Sequence, residues 1–287
     1  MDMPSFKEKE IELAVVLGKG TFGGSGNTKI IKGLAVQCEI EKVMLPDKNK
    51  AKVEIYGLNL DDMEQMTTLA FKPLETQKNY IQIKAGDKDG ELSLVFKGEI
   101  ATAYANFNNV PDIVFEIEAL AGYFPALKAI PATSATGEAS IAELLAKLAK
   151  EAGYGFVNKG VTGAVSNPYL TGSPFEQIKK MAADNGFDVL FDDEEIIAVP
   201  FEKARSGNTV KLSKDTGLIG YPTFSSEGIS LACHFEKELQ IGGLVEVDSM
   251  VPKASGVWKV SKLSHKISAN FAGTNFWESA VDVVPYK

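Results

Sequence analysis

The chain has 287 residues, 45% hydrophobic and 24% charged, which is material for two or three packed domains at roughly 100 to 200 residues each and excludes a disordered chain. Lys plus Arg number 30 against 38 Asp plus Glu, a formal charge of -8, and no dense basic block stands out, so a phosphate-gripping groove is excluded. The N-terminus mixes Asp2, Lys7, Glu8, Lys9 and Glu10 without an apolar core, unlike a signal peptide, and no run approaches the roughly 18 apolar residues of a membrane helix.

Period-two alternation dominates from the start. It covers residues 11–17, and then LAVQCEIEKV sets Leu34, Val36, Cys38 and Ile40 on one side with Gln37, Glu39 and Glu41 on the other, as a half-buried strand requires. A strand over 52–56 precedes a short helix over 60–71, where Met63, Met66 and Leu69 share a face as core filling. Alternation resumes over 80–84, 92–96 and 112–119. Two helices then follow: 139–152, with Ile141, Leu144, Leu145 and Leu148 at helical spacing, Ser140 as cap and Gly153 as stop, and 173–185. The second has Ser173 as N-cap, Pro174 at the first helical position, Glu176 completing a capping box and Gly186 as terminator. FDVLFDDEEIIAVPF reads as a hairpin whose acidic tip, Asp192 to Glu195, meets water. Strands return over 228–235, 244–247, 257–267 and 275–284. The fold class is mainly β, with a small α/β insertion over 131–200 between the linkers PATSATG and EKARSGN.

Motifs of catalysis lack their context. LGKGTFG over 17–23 matches GxGxxG, but a kinase needs a His-Arg-Asp loop, and the two histidines are His234, before Phe235, and His265, before Lys266. Glu39 and Glu41 lie about 20 residues on, where a dinucleotide's ribose acceptor belongs, yet GGSGNTKIIKG cannot open a helix. The segment reads as a mobile connection between strands. Gly23, Gly24, Ser25 and Gly26 resemble a nucleophile elbow, but Asn27 takes the place of the last glycine. Adjacent Cys233 and His234 on a strand point to opposite faces and do not share a metal. The acidic run at 192–195 lacks EF-hand spacing. Cys38 and Cys233 each sit in an alternating pattern and read as buried, reduced thiols, which places the chain in the cytosol. No catalytic, cofactor or metal residue is expected.

Two stretches carry a family resemblance. KNKAKVEIYGLNLDDMEQMTTL over 48–69 is followed by YIQIKAGD and LVFKGEIATAY; GLIGYPTFSSEGISLACHFEKELQIGGLVEVDS over 217–249 is followed by SGVWKVSKLSHKISANFAGTNFWES. In this order, around an α/β insert, they resemble the baseplate hub proteins of contractile bacteriophage tails, whose relatives occur in other contractile injection machines. Val53 to Leu60 and Met63 to Leu69 match that family's strand, Asn-Leu turn and short helix. Gly220-Tyr221-Pro222 and Gly242-Gly243 match its turns, and Trp258, Val260, His265 and Trp277 its terminal strands. KAGDKDG over 84–90 departs from the family's Gly-Tyr pair.

The resemblance implies two tail-tube-like β-barrels, one over 1–100 and one over 101–130 plus 201–287, with the α/β domain inserted. It implies a homotrimer that adapts the six-fold tail tube to the three-fold central spike and forms part of the DNA channel. Expected partners are the tail tube ring, the spike, other baseplate proteins and the tape measure protein, with DNA passing unbound and no membrane insertion. The expected location is the virion tail after assembly in the host cytoplasm. No enzyme activity and no cofactor are expected. Exposed strand edges and loops should make the contacts. Gly18, Lys19, Gly20, Thr21, Phe22 and Gly23 are expected to touch a neighbouring subunit or the stacked tube ring, because a glycine-rich tip bearing Phe22 is costly without a partner. The alternatives are a tail-associated peptidoglycan hydrolase or glycan-binding component that uses the α/β unit, and a free-standing β-sandwich binding module that stays monomeric.

Overall fold

The computed structural model describes residues 7–22, 26–67, 79–108, 110–205, 207–273 and 275–286. Strands β1 (Lys9–Val16), β2 (Thr28–Lys32), β3 (Ala35–Val43) and β4 (Lys50–Tyr56) precede helix α1 (Leu60–Met66), β5 (Tyr80–Asp87), β6 (Ser93–Asn106) and β7 (Val114–Leu120). Next come α2 (Tyr123–Leu127), β8 (Thr133–Ser134), β9 (Glu138–Ser140), α3 (Ile141–Ala152), β10 (Gly155–Asn158), β11 (Ala164–Ser166) and β12 (Tyr169–Leu170). Then follow α4 (Pro174–Asn185), β13 (Phe187–Asp192), β14 (Glu195–Pro200), β15 (Val210–Ser213) and β16 (Leu218–Phe224). The last are β17 (Ile229–His234), β18 (Leu244–Asp248), β19 (Gly256–Ala269) and β20 (Trp277–Pro285). The mainly β class with few helices is what the alternation called for. No helix among the described residues is long and apolar enough to cross a membrane.

The chain divides into two compact units. The first holds Met1–Ile40, Lys50–Leu120 and His265–Trp277. Its strands run in the order β3-β4-β7-β6-β5-β1-β2, with the end of β19 beside β3. Alternation sends Leu13, Val15, Val36, Cys38, Val53, Ile55, Ile81, Ile83 and Ile117 inside, where each is essentially inaccessible. A fully buried side chain of this size contributes about 1.5–3 kcal/mol over an exposed one. The Asn59 side chain caps α1 by accepting from the Asp62 N–H at 2.8 Å. Met63 and Met66 are buried, so these methionines do fill core. The expected remainder of that helix, including Leu69, lies outside the described residues.

The second unit holds Glu41–Asn49, Ala121–Ser264 and Glu278–Lys287. Here β16-β17-β20-β19 run in order, β18 joins β19, and β15 lies parallel to β18. Its α/β part is a three-stranded sheet, β10 parallel to β14 and β14 antiparallel to β13. At α4, Ser173 and Glu176 form the reciprocal capping box and Gly186 ends the helix in the left-handed region. Ser140 stands at the N-cap of α3 but makes no side-chain capping bond. The β13–β14 hairpin is buried on both faces. Val189, Phe191, Ile196 and Ala198 pack with Leu145, Leu148 and Ile178 of the helices. Leu190, Ile197 and Val199 pack with Leu231, Val245, Leu263 and Val281 of the β strands.

One strand order occurs in both units. β3-β4-β7-β6-β5 in the first corresponds to β16-β17-β20-β19-β18 in the second, and the strands also follow one another along the chain in the same sequence. The two long members, β6 and β19, have 14 residues each. Each uses its first part to pair with β5 or β18.

Candidate functional site

The glycine-rich tip closes the β1–β2 hairpin. The Leu17 N–H donates to Asn27 O at 2.8 Å, and Asn27 Nδ2 returns a bond to Leu17 O at 3.1 Å. The Gly18 N–H donates to Asn79 Oδ1 at 3.0 Å, and the Phe22 N–H to Gly26 O at 2.7 Å. Gly18, Lys19, Gly20 and Thr21 are exposed, while Phe22 is buried and Gly23 lies outside the described residues. Phe22 therefore needs no outside partner to leave water. What the tip offers a neighbour is backbone and the Lys19 cation.

The acidic hairpin tip departs from the solvated turn expected of it. Asp192 is buried and holds two cations: Lys42 Nζ donates to its Oδ1 at 2.7 Å and Arg205 Nη1 to its Oδ2. Lys42 also lies 3.5 Å from Asp193 Oδ2. Burial alone would raise the Asp192 pKa, but the charges of Lys42 and Arg205 outweigh it and hold the carboxyl down at about 2. Burial likewise opposes the Lys42 charge, and Asp192 with Asp193 overcomes it, raising that pKa. Asn49 braces the same corner, with Oδ1 accepting from the Val43 N–H at 2.9 Å and Nδ2 donating to Phe191 O at 2.5 Å. A carboxylate so neutralised serves structure. Glu194 and Glu195 are the exposed members of the run.

Cys233 is buried and His234 exposed, so the pair does divide across the strand. Burial, with help from Glu236, pushes the Cys233 thiol up to about 12, and burial raises Cys38 further. Among the described residues no three metal-binding side chains cluster. A cleft of about 640 Å³ lies among Met44, Asp188, Phe201, Lys259, Pro285 and Tyr286. Its one buried cation is spent: Lys259 Nζ donates to Asp188 at 2.8 Å and to Phe201 O at 3.3 Å.

The features that do face outward are strand edges. Among the described residues β2 pairs only with β1, and β16 only with β17, with a register slip between Ile219 and Thr223. Ile30 on β2 and Ile219, Tyr221 and Phe224 on β16 are exposed apolar groups. On β6, the residues from Ser93 to Glu99 pair with β5 and those from Glu99 to Asn106 with β7. Tyr104 and Phe107 are exposed there. The outward side chains are pinned to β7, with Tyr104 Oη donating to Glu116 at 3.0 Å and Asn106 Nδ2 to the same carboxylate at 2.7 Å. Sequence alternation missed β2 and β16. Thr-Lys-Ile-Ile-Lys after the glycines, and the β-rich residues around Gly220-Tyr221-Pro222, were the available signals.

Solved structures of the same fold include phage tail proteins and a type VI secretion component. The chain is similar to the 43 kDa tail protein of prophage MuSo2 from Shewanella oneidensis, with a TM-score of 0.65 at 12% identity over 95% of this chain and 96% of that one. A tail protein from Neisseria meningitidis MC58 gives 0.66 at 10% identity over 96% of both. The E. coli c3393 protein, a type VI secretion component described as structurally similar to T4 tail proteins gp27 and gp5, gives 0.59 at 10% over 88% of this chain and 74% of that one. No curated protein matches by sequence. The family model of baseplate hub gp41 matches residues 14–280, and the chain belongs to that family of phage baseplate hub proteins.

Proposed function

We propose that this baseplate hub protein works as a homotrimeric ring that joins the six-fold tail tube to the three-fold central spike and forms part of the DNA channel. The observation that carries this is the recurrence of one five-strand order in both units. Three copies then present six similar modules to a six-fold partner while keeping true threefold symmetry toward the spike. The two recurrent modules are the tube-type barrels, and the α/β part is an insertion in the second. The likeness to the c3393 protein, itself compared with gp27 and gp5, supports a place beside the spike. The work is mechanical and uses no bond chemistry or cofactor. Other contacts are with further baseplate proteins and the tape measure protein, and DNA passes an acidic protein of net charge -8 without being held. The tip from Gly18 to Gly23 touches the neighbouring subunit or the stacked tube ring. Assembly takes place in the host cytoplasm and the product resides in the virion tail.

Native mass spectrometry with negative-stain imaging tests the reading. Three copies around a central hole are expected; a single hole-free copy at high concentration, even with tube and spike proteins added, overturns it. Deleting residues 19–24 should weaken stacking on tube rings, and undiminished stacking removes the tip from the contact.

A further inference from the structure

One end of the first unit differs in kind from the other. Strand pairing sets Tyr56 of β4 beside Val114 of β7, Val114 beside Asn106 of β6, and Val16 of β1 beside Tyr80 of β5. The glycine-rich tip, the start of α1 and the turn over 107–113 therefore gather at this end. The turn over 270–276 joins them, since Asn270 Nδ2 donates to Leu34 O at 2.8 Å and Phe271 meets Tyr56 edge-on with ring centres 5.3 Å apart. All of these residues belong to the first unit. Large apolar side chains stand in water here: Leu60 is 62% exposed, Phe107 53%, Val110 69% and Phe276 37%. The opposite end, where β1 begins and β5 turns into β6, is built from charge. Lys9 pairs with Asp87 at 2.5 Å and Lys88 with Glu8 at 2.8 Å, and Asp89 and Glu91 are exposed. Paired surface charge gains little by leaving water, whereas exposed apolar groups gain from a partner.

The two turns are also alike. β6 and β19, the 14-residue strands at corresponding places in the recurrent order, each run into Ala-Asn-Phe, at 105–107 and at 269–271. Residues 107–113 separate β6 from β7 and residues 270–276 separate β19 from β20, spans of equal length. In both, the asparagine side chain fixes the turn. Asn106 Oδ1 accepts from the Asn108 N–H at 3.0 Å while its Nδ2 holds Glu116, and Asn270 holds the Leu34 carbonyl. Each turn leaves one phenylalanine outside. In the first it is Phe107 itself; in the second, Tyr56 takes up Phe271, and Phe276 is the outer ring, with Lys266 Nζ 4.8 Å from its centre.

We propose that this end is the face on which the six-fold tail tube ring docks, with Phe107 and Phe276 as two aromatic anchors per chain and the exposed tip from Gly18 to Thr21 beside them. This rests on the trimer reading and deepens it, assigning the tip to the tube and not to a neighbouring hub copy. A six-fold ring that meets three chains needs two like contacts on each, and a turn repeated at one end supplies them. The ring that fits presents an uncharged, apolar patch once per subunit. Aromatic groups in the middle of a contact carry much of its binding energy, and docking at strand ends leaves strand edges free to join hub copies.

The test uses tail tube protein assembled into rings as the probe, with binding read by sedimentation and native mass reporting the hub's own assembly. Phe107→Asp and Phe276→Asp should each leave the hub trimer intact and raise the half-saturating ring concentration by about tenfold or more. Asp89→Lys, at the charged end, should leave that concentration unchanged. A trimer whose ring binding is unmoved by both phenylalanine changes, or is weakened by Asp89→Lys instead, overturns the docking face and leaves the trimer standing. An effect at only one of the two phenylalanines overturns the six-fold match. Loss of the trimer on Phe107→Asp puts that ring in the seam between copies and overturns the proposal likewise. A single chain by native mass in the unaltered protein overturns both readings. In the unaltered trimer, the amides of Phe107, Val110 and Phe276 should exchange about tenfold or more slowly once rings are added. Equal exchange refutes the docking even if the variants misfold.

Discussion

Replacing Asp192 by Asn should unhinge the second unit more than any other change to a surface-loop acid. The native carboxylate accepts from Lys42 at 2.7 Å and from Arg205, all three side chains being largely shielded. Its pKa of about 2, against an ordinary 3.8, amounts to roughly 2–3 kcal/mol of stability at neutral pH. Asparagine removes the charge and also leaves Lys42 with only Asp193 at 3.5 Å, so the full cost falls at roughly 3–5 kcal/mol. Urea unfolding followed by Trp258 fluorescence, in a Trp277→Phe background common to both proteins, reads this unit. Because the folded pKa is depressed, the carboxylate's contribution is whole above pH about 5 and is lost as pH falls through 2. The gap between parent and Asp192→Asn should narrow by about 2 kcal/mol between pH 5 and pH 2. A cost below about 1 kcal/mol at pH 7, or a gap that does not narrow between pH 5 and pH 2, would refute the reasoning.

Gly228→Ala should cost on the order of 3 kcal/mol or more, since an added Cβ would sit 1.9 Å from the Val283 carbonyl oxygen in β20; an unchanged thermal midpoint contradicts this. Ser173→Ala removes half of the capping box on α4 and should cost about 1 kcal/mol in urea unfolding of the second unit, a prediction lost if the midpoint moves by less than the error. Cys38 and Cys233, buried and with raised pKa values, should resist iodoacetamide at pH 8 until urea unfolds the chain; rapid labelling of folded protein would show that burial does not protect them.

Central strands and helices were legible because burial on one face writes itself into the sequence. Leu34 to Ile40 alternates as β3 demands, and Ser173, Pro174 and Glu176 spell out the start of α4. The β6 strand was read only over 92–96 because its register slips, one near Ile83 against β5 and one near Ile100 against β7, break the parity; Val95 with Phe96, and Gly98 through Ile100, are buried in succession. Edge strands β2 and β16 went unread for the opposite reason: exposed on most of their residues, they carry no alternation to find. The Asp192 cluster was illegible since Lys42 lies 150 residues away in sequence, and local pattern sees only a charged turn. Phe22 was misjudged likewise, its burial depending on where the hairpin folds back. Edge strands are thus the elements for which local periodicity carries least information.

The irregularity of β16 has a consequence for what its open edge can accept. Gly220 turns the backbone to a φ of +68°, the register against β17 slips between Ile219 and Thr223, and Pro222 contributes no N–H. A straight foreign strand finds a bent rail with a rung absent, so indiscriminate lateral growth into fibres is discouraged while a partner shaped to the kink is still received. Newly made copies can accumulate to the density that tail building requires without gluing to whatever extended peptide drifts past.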